Sequence, residues 1–117
     1  DLQMASGGLG HPWDTGKGFD DSAPIAAIYP VSAVGHIDRG FTRAEVNGEL
    51  RQDGDLDDLI WKTDEIIAAL SRLYLLRPGD LIFTGTPAGV GPVVAGDKIV
   101  ASVEGLGELA VEISPLL

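Results

Sequence analysis

Two stretches of this sequence hold more glycine than folding requires, and each carries residues suited to binding an anion. The first is Trp13-Asp14-Thr15-Gly16-Lys17-Gly18-Phe19. A lysine between glycines rides on backbone that can approach a ligand closely, because no Cβ stands in the way. An exposed surface loop whose lysine does nothing fits the same residues about equally well. The second is Thr84-Gly85-Thr86-Pro87-Ala88-Gly89-Val90-Gly91-Pro92, directly after an apolar run. Hydroxyls and free backbone N–H groups at the end of a strand can hold carboxylate oxygens. A plain connector, needing positive φ at its glycines, accounts for this stretch slightly better.

Other chemistries fail on spacing. A phosphate-binding P-loop built on Gly16-Lys17 needs glycine where His11 stands and Ser or Thr where Gly18 stands. There is no Gly-x-Ser-x-Gly elbow for a serine hydrolase. His11 and His36 lack a His, Glu or Asp at metal-ligand or general-base spacing and read as surface residues. Asp53, Asp55, Asp57 and Asp58 resemble a calcium loop by charge alone. The bidentate acid of such a loop would fall on Asp64, and Leu59 would take a ligating position through backbone only. A solvated acidic loop is the better reading. Asp20-Asp21 could cap a turn or pair with Lys17.

Bulk properties narrow the class. The 117 residues suffice for one domain, and 44% hydrophobic with 22% charged residues is ordinary for a folded chain. A formal charge of -10, with eight basic residues scattered singly, argues against nucleic acid and anionic membrane surfaces as partners. No apolar run approaches the ~20 residues of a membrane-spanning helix. The absence of cysteine excludes disulfides, zinc thiolate sites and a thiol nucleophile, and is compatible with a cytoplasmic protein. The start at Asp1-Leu2-Gln3-Met4 resembles neither a signal peptide nor an initiator methionine, as though the chain were entered in the middle.

The elements that must position the two glycine-rich stretches follow from pattern. Residues 1–24, rich in Gly, Asp, Ser and Pro, read as loop. Ile25 to Tyr29 suits a buried or edge strand ending at Pro30. Thr42–Val46 and Glu49–Gln52 flank Asn47-Gly48, whose positive-φ preference predicts a tight hairpin. Asp53 to Asp58 is loop or the entry to a helical turn. Thr63 is a plausible N-cap, followed by Asp64 and Glu65 in the first turn. Ile66, Ile67, Leu70, Leu73 and Tyr74 then recur at helical spacing, predicting a helix over about 63–75. Leu81–Thr84 reads as a buried strand, and strands around Lys98–Val103 and Glu108–Ile113 flank a Glu104-Gly105-Leu106-Gly107 turn. The expected class is α+β with a β-dominated core.

Taken together, these stretches resemble a known family. Gly10-His11-Pro12-Trp13-Asp14-Thr15-Gly16-Lys17-Gly18-Phe19-Asp20 with Ser22-Ala23-Pro24 is similar to the substrate-loop signature of the fumarylacetoacetate hydrolase superfamily. Val46-Asn47-Gly48-Glu49-Leu50-Arg51-Gln52 resembles its hairpin, and the run from Leu76-Arg77-Pro78-Gly79-Asp80 through Pro92 its most recognisable block. Gly96-Asp97 and Gly105-Leu106-Gly107 continue in register, so the resemblance covers essentially all the chain. The Trp-Asp-Thr-Gly-Lys-Gly-Phe form is most similar to bacterial fumarylpyruvate hydrolases.

The resemblance implies that residues 1–117 are the C-terminal part of a single catalytic domain, a mixed sheet or roll. It implies a hydrolase acting on carbon–carbon bonds in ketonic substances, of acylpyruvates and above all fumarylpyruvate, working as a cytoplasmic homodimer on a small oxo-acid. Related scaffolds decarboxylate 2-oxo acids or isomerise keto and enol forms. The family's catalytic lysine matches Lys17, its active-site glutamine matches Gln3, and the threonine of its Gly-Thr-Pro loop matches Thr86. The family binds Mg²⁺, Mn²⁺ or Ca²⁺ through two glutamates and an aspartate, and a His-Glu pair on a lid activates water. None of these five stands in this sequence; the metal aspartate would fall just before Asp1. Mg²⁺ is the expected cofactor, with ligands upstream. Two competing readings remain: an inert fragment lending residues to a site completed elsewhere, and a non-catalytic acidic binding domain.

Overall fold

The structure, a computed structural model, describes residues 2–115. Alternation and turn chemistry dictate its centre. Phe41–Val46 (β1) and Glu49–Asp55 (β2) are joined by Asn47 and Gly48, both at positive φ (54° and 81°), the geometry whose twist matches paired strands. Lys98–Val103 (β3) pairs antiparallel with β1, and Gly107–Glu112 (β4) pairs antiparallel with β3. The order β2-β1-β3-β4 makes β1 and β3 the inner strands of a four-stranded sheet. The α+β, β-dominated reading stands, and every pairing in this sheet is antiparallel.

Register separates the faces. Thr42, Ala44 and Val46 lie opposite Val103, Ala101 and Ile99, which lie opposite Gly107, Leu109 and Val111, so one face is apolar. The other carries Arg43, Glu45, Ser102, Glu108 and Glu112, with Arg43 bound to its cross-strand neighbour Asp53 at 2.7 Å. Between Ala44↔Gln52 and Glu45↔Leu50 the register shifts by one residue, leaving Arg51 as a β-bulge.

The helices differ from expectation in instructive ways. Leu2–Leu9 (α1) and Asp14–Lys17 (α2) are helical where the sequence reads as loop. Gly7 and Gly8 disfavour a helix in isolation. Here a Cβ on Gly7 would touch the Trp13 ring at 3.7 Å, and one on Gly16 would meet the Gln3 backbone at 2.9 Å. The glycines permit this close packing, and the packing supports the helices. A third short helix, Val31–Val34 (α3), follows the coil that replaces the expected 25–29 strand.

Thr63–Leu70 (α4) ends before the expected 75, and Ser71 Oγ donates to the Ala68 carbonyl at its end. The capping residue is Lys62, not Thr63. A lysine side chain has only donors, so the cap's side-chain contribution is Glu65 Oε2 accepting from the Lys62 N–H at 2.8 Å. Leu81–Thr84 is likewise unpaired coil, with Phe83 66% exposed. Both missing strands are apolar runs with no ladder partner among the described strands.

Asp97 ties the hairpin turn to the sheet. Its carboxylate accepts from the Val94 N–H and from Asn47 Nδ2, each at 2.8 Å, while Asn47 Oδ1 accepts from the Lys98 N–H. The Val94 N–H and then the Asn47 amide hold Asp97 below the usual carboxylate range. A lowered folded pKa gives stability that is complete above the unfolded value of about 3.9 and is lost as pH falls through the folded one. Asp57, lowered by its hydrogen bond to Lys62, titrates in the same sense. Denaturant titrations of wild type and Asp97→Asn, from about pH 6 to about pH 2, should show wild type ahead at about pH 6 and the gap shrinking below about pH 4. A gap that is constant with pH would remove the carboxylate from this account.

Candidate functional site

The structure distributes the three expected site residues over two neighbourhoods. Gln3, in the first turn of α1, and Lys17, at the end of α2, meet through the Gly16 contact. Gln3 is half-buried and Lys17 exposed. The Lys17 ammonium lies 6.0 Å from the centre of the Trp13 ring, at the outer reach of a cation–π contact. Lys17 enters none of the ion pairs among the described residues, whereas Lys62 is bound to Asp57 at 2.7 Å and Arg43 to Asp53. Asp20-Asp21 therefore does not pair with Lys17, and Asp21 takes a positive φ of 57° in the turn.

Thr86 stands on the Gly85–Pro92 loop, which packs on the apolar face at β2. A Cβ on Gly54 would meet the Pro87 ring at 2.9 Å, and one on Gly89, at φ 101°, would overlap the Arg51 carbonyl oxygen. Gln52 links strand and loop: its Nε2 donates to Thr86 Oγ1 at 2.8 Å and to the Pro87 carbonyl at 2.7 Å. The sequence places Gln52 in the hairpin motif but carries no signal of a role for it. The bulge that aims it at the loop leaves no mark in the alternation pattern.

Thr86 also lines a groove of about 440 Å³ with Thr42, Leu59, Trp61, Ile66 and Pro87. A larger trough of about 970 Å³ contains neither Gln3, Lys17 nor Thr86. It is the open apolar face itself, bounded by Ile28, Val34, Ile67, Ala101, Val103 and Leu109.

Among the described residues no group of three or more His, Cys, Asp or Glu is placed to hold a metal. The acidic run is spent on backbone caps: Asp55 Oδ1 accepts from the Asp57 and Gly40 N–H groups, and Asp58 Oδ2 from the Asp55 N–H. These residues do not fit a divalent ion. His11 and His36 are exposed, as expected.

A family model described as fumarylacetoacetate (FAA) hydrolase C-terminal matches residues 1–114. The chain belongs to the fumarylacetoacetate hydrolase family. Within that family it is 48% identical over 115 residues to a fumarylpyruvate hydrolase of Ralstonia sp, covering 98% of this chain and 59% of that relative. It is 37% identical over 106 residues to an oxaloacetate tautomerase of Escherichia coli, covering 90% of this chain and 48% of that one. The crystal structure of fumarylpyruvate hydrolase from Pseudomonas aeruginosa, in complex with Mn²⁺ and pyruvate, superposes with a TM-score of 0.95 at 49% identity, covering 99% of this chain and 50% of its own. This chain spans about half the length of the relatives it matches. Among the described residues no helix is long and apolar enough to cross a membrane.

The Gly89 contact gives a direct test of how the Thr86 loop is held. Gly89→Ala should destabilise the full-length protein by on the order of 1–3 kcal/mol, from positive φ and overlap with β2. Gly91→Ala, where φ is ordinary and nothing lies within 4 Å, should stay within about 0.5 kcal/mol of wild type. Chemical denaturation of both variants measures this, and equal effects would detach the loop from the bulge.

Proposed function

We propose that residues 1–117 are the C-terminal part of a single catalytic domain whose protein hydrolyses a carbon–carbon bond in an acylpyruvate, with fumarylpyruvate giving fumarate and pyruvate. The observation that carries this is the chain-long likeness to fumarylpyruvate hydrolases at nearly half identity, in sequence and in structure. The lysine loop, the Gly-Thr-Pro loop and Gln3 supply the groups the reaction asks of this chain.

Water adds to the carbonyl carbon of the fumaryl side, and the bond from that carbon to the pyruvate methylene breaks. The released electron pair spreads onto the 2-oxo oxygen, and a proton returns the methylene to a methyl group. A positive charge held near the oxygen that gains charge lowers the barrier most where water is scarce. Lys17 is that charge in this reading, Gln3 orients water or a carbonyl through its amide, and the Thr86 hydroxyl donates to a substrate carboxylate. A divalent metal, Mg²⁺ in our reading, belongs to the complete site; the Pseudomonas aeruginosa relative is in complex with Mn²⁺ and pyruvate. The described residues do not supply its ligands, and the proposal assigns them to segments outside these residues. A cytoplasmic homodimer completes the proposal.

A second reading, tautomerisation of oxaloacetate, is favoured by relatives with that activity in Escherichia coli and, at 39% identity, Arabidopsis thaliana. Both substrates are 2-oxo acids whose enolates carry charge on the same oxygen. The deciding assay presents fumarylpyruvate and oxaloacetate separately to the full-length protein with Mg²⁺. Turnover of fumarylpyruvate is expected, with Lys17→Met lowering kcat by on the order of 100-fold and the isolated 117-residue chain inactive. Oxaloacetate tautomerisation without fumarylpyruvate cleavage would replace the first reading by the second. Full activity in Lys17→Met would remove Lys17 from both.

A further inference from the structure

We infer that Gln52 is a positioning residue that frees the Thr86 hydroxyl proton for an anionic substrate group, an inference resting on the proposed role of Thr86. The orientation of the Gln52 amide follows from its neighbours. The Pro87 carbonyl, 2.7 Å away, can only accept, so the nitrogen of the amide must face it. One N–H is thereby used, and the other points to Thr86 Oγ1 at 2.8 Å. The same pair can also be drawn with Thr86 Oγ1 donating to Gln52 Oε1 at 3.2 Å. That distance is long for a hydroxyl donor, and the two bonds compete for one contact, so the amide-to-hydroxyl bond governs.

With a lone pair of Oγ1 occupied by the amide, the hydroxyl proton is left to turn outward. Thr86 is exposed and lines the groove of about 440 Å³, so its outward proton can reach a bound carboxylate. Such a bond to a charged group is stronger than one between neutral partners. Three features of β2 and the loop docked on it hold Gln52 in place for this. The Arg51 bulge sets its register opposite Ala44, Gly54 admits the Pro87 ring, and Gly89 admits the Arg51 carbonyl. The loop therefore docks on the same strand segment that carries the amide.

Substitution at Gln52 separates positioning from mere support. Gln52→Glu has the same shape but places an oxygen against the Pro87 carbonyl and draws the Thr86 proton to itself. Gln52→Met removes the amide without adding charge. In steady-state kinetics of the full-length protein on fumarylpyruvate, Gln52→Glu should raise KM roughly tenfold and more than it lowers kcat, with Gln52→Met raising KM less. In a Thr86→Val background, the Gln52→Glu change should add almost nothing to KM, because the proton it captures is already gone. If Gln52→Glu raises KM as much in that background as alone, charge repulsion or loop support explains it and the inference fails. A wild-type KM in Gln52→Glu overturns it as well, provided Thr86→Val itself raises KM. If Thr86→Val leaves KM unchanged, the assignment of Thr86 as a substrate group is what fails. A Gln52→Glu protein that unfolds leaves the same comparison to Gln52→Met, whose KM must then exceed wild type in the Thr86 background-dependent manner.

Discussion

In the β1–β2 ladder Ala44 faces Gln52 and Glu45 faces Leu50, and the unpaired Arg51 between them sets the geometry of everything the strand supports. A bulge adds one residue on one strand and turns the chain locally, which re-aims the side chains that follow. Here it brings the Arg51 carbonyl against Gly89 and directs the Gln52 amide at Thr86 and Pro87. The loop in turn needs glycine at 89, where φ is 101°, because any side chain would collide with the bulged backbone. Strand irregularity and loop composition are thus two halves of one contact.

The apolar face of the sheet shows how much this chain relies on further cover. No described residue is fully buried, and large side chains such as Ile28, Ile60 and Leu75 stand at 74%, 93% and 79% exposure. The accessible surface is 9537 Å², against roughly 6,000 Å² for a compact protein of this mass. The Cα radius of gyration is 15.8 Å, where about 13 Å is usual for this length. An antiparallel sheet can leave one face to water, but that face is then polar. Here the polar face is the Arg43–Glu45–Glu108 one, and the open trough lies over Ala101, Val103 and Leu109. The proposal that these residues form part of a larger catalytic domain accounts for that excess. It also explains why Ile25–Tyr29 and Leu81–Thr84 have strand composition without strand partners.

What could be read from the sequence follows the range of the interactions involved. The Asn47-Gly48 hairpin and the strands around Lys98–Val103 and Glu108–Ile113 were legible because turn chemistry and alternation are local. The start of α4 was legible to within one residue, but not its end, because Leu73 and Tyr74 continue the helical stripe while remaining 77% and 64% exposed. Helices α1 and α2 were invisible because Gly7 and Gly16 argue against helix locally, and their purpose is a contact between segments. The Thr84–Pro92 stretch stands out by its glycine content, though a plain connector accounts for it slightly better. Its partner Gln52 does not stand out, since a bulge is a matter of register between strands.

Charge supplies the last constraint. A chain of formal charge -10 repels an anion at long range, so the proposed recognition of an oxo-acid depends on which cations are uncommitted at short range. Arg43 and Lys62 are bound to Asp53 and Asp57, and Arg51 lies 3.4 Å from Glu49. Lys17, Arg72, Arg77 and Lys98 join no ion pair among the described residues, and of these Lys17 sits beside an aromatic face. Gly16 packs against the Gln3 backbone and Gly18 lies close to the Asp14 carbonyl, so the lysine rides on closely packed backbone while its own side chain stays exposed. In an acidic chain, an exposed ammonium outside the ion pairs of the described residues is what Lys17 brings to the proposed site.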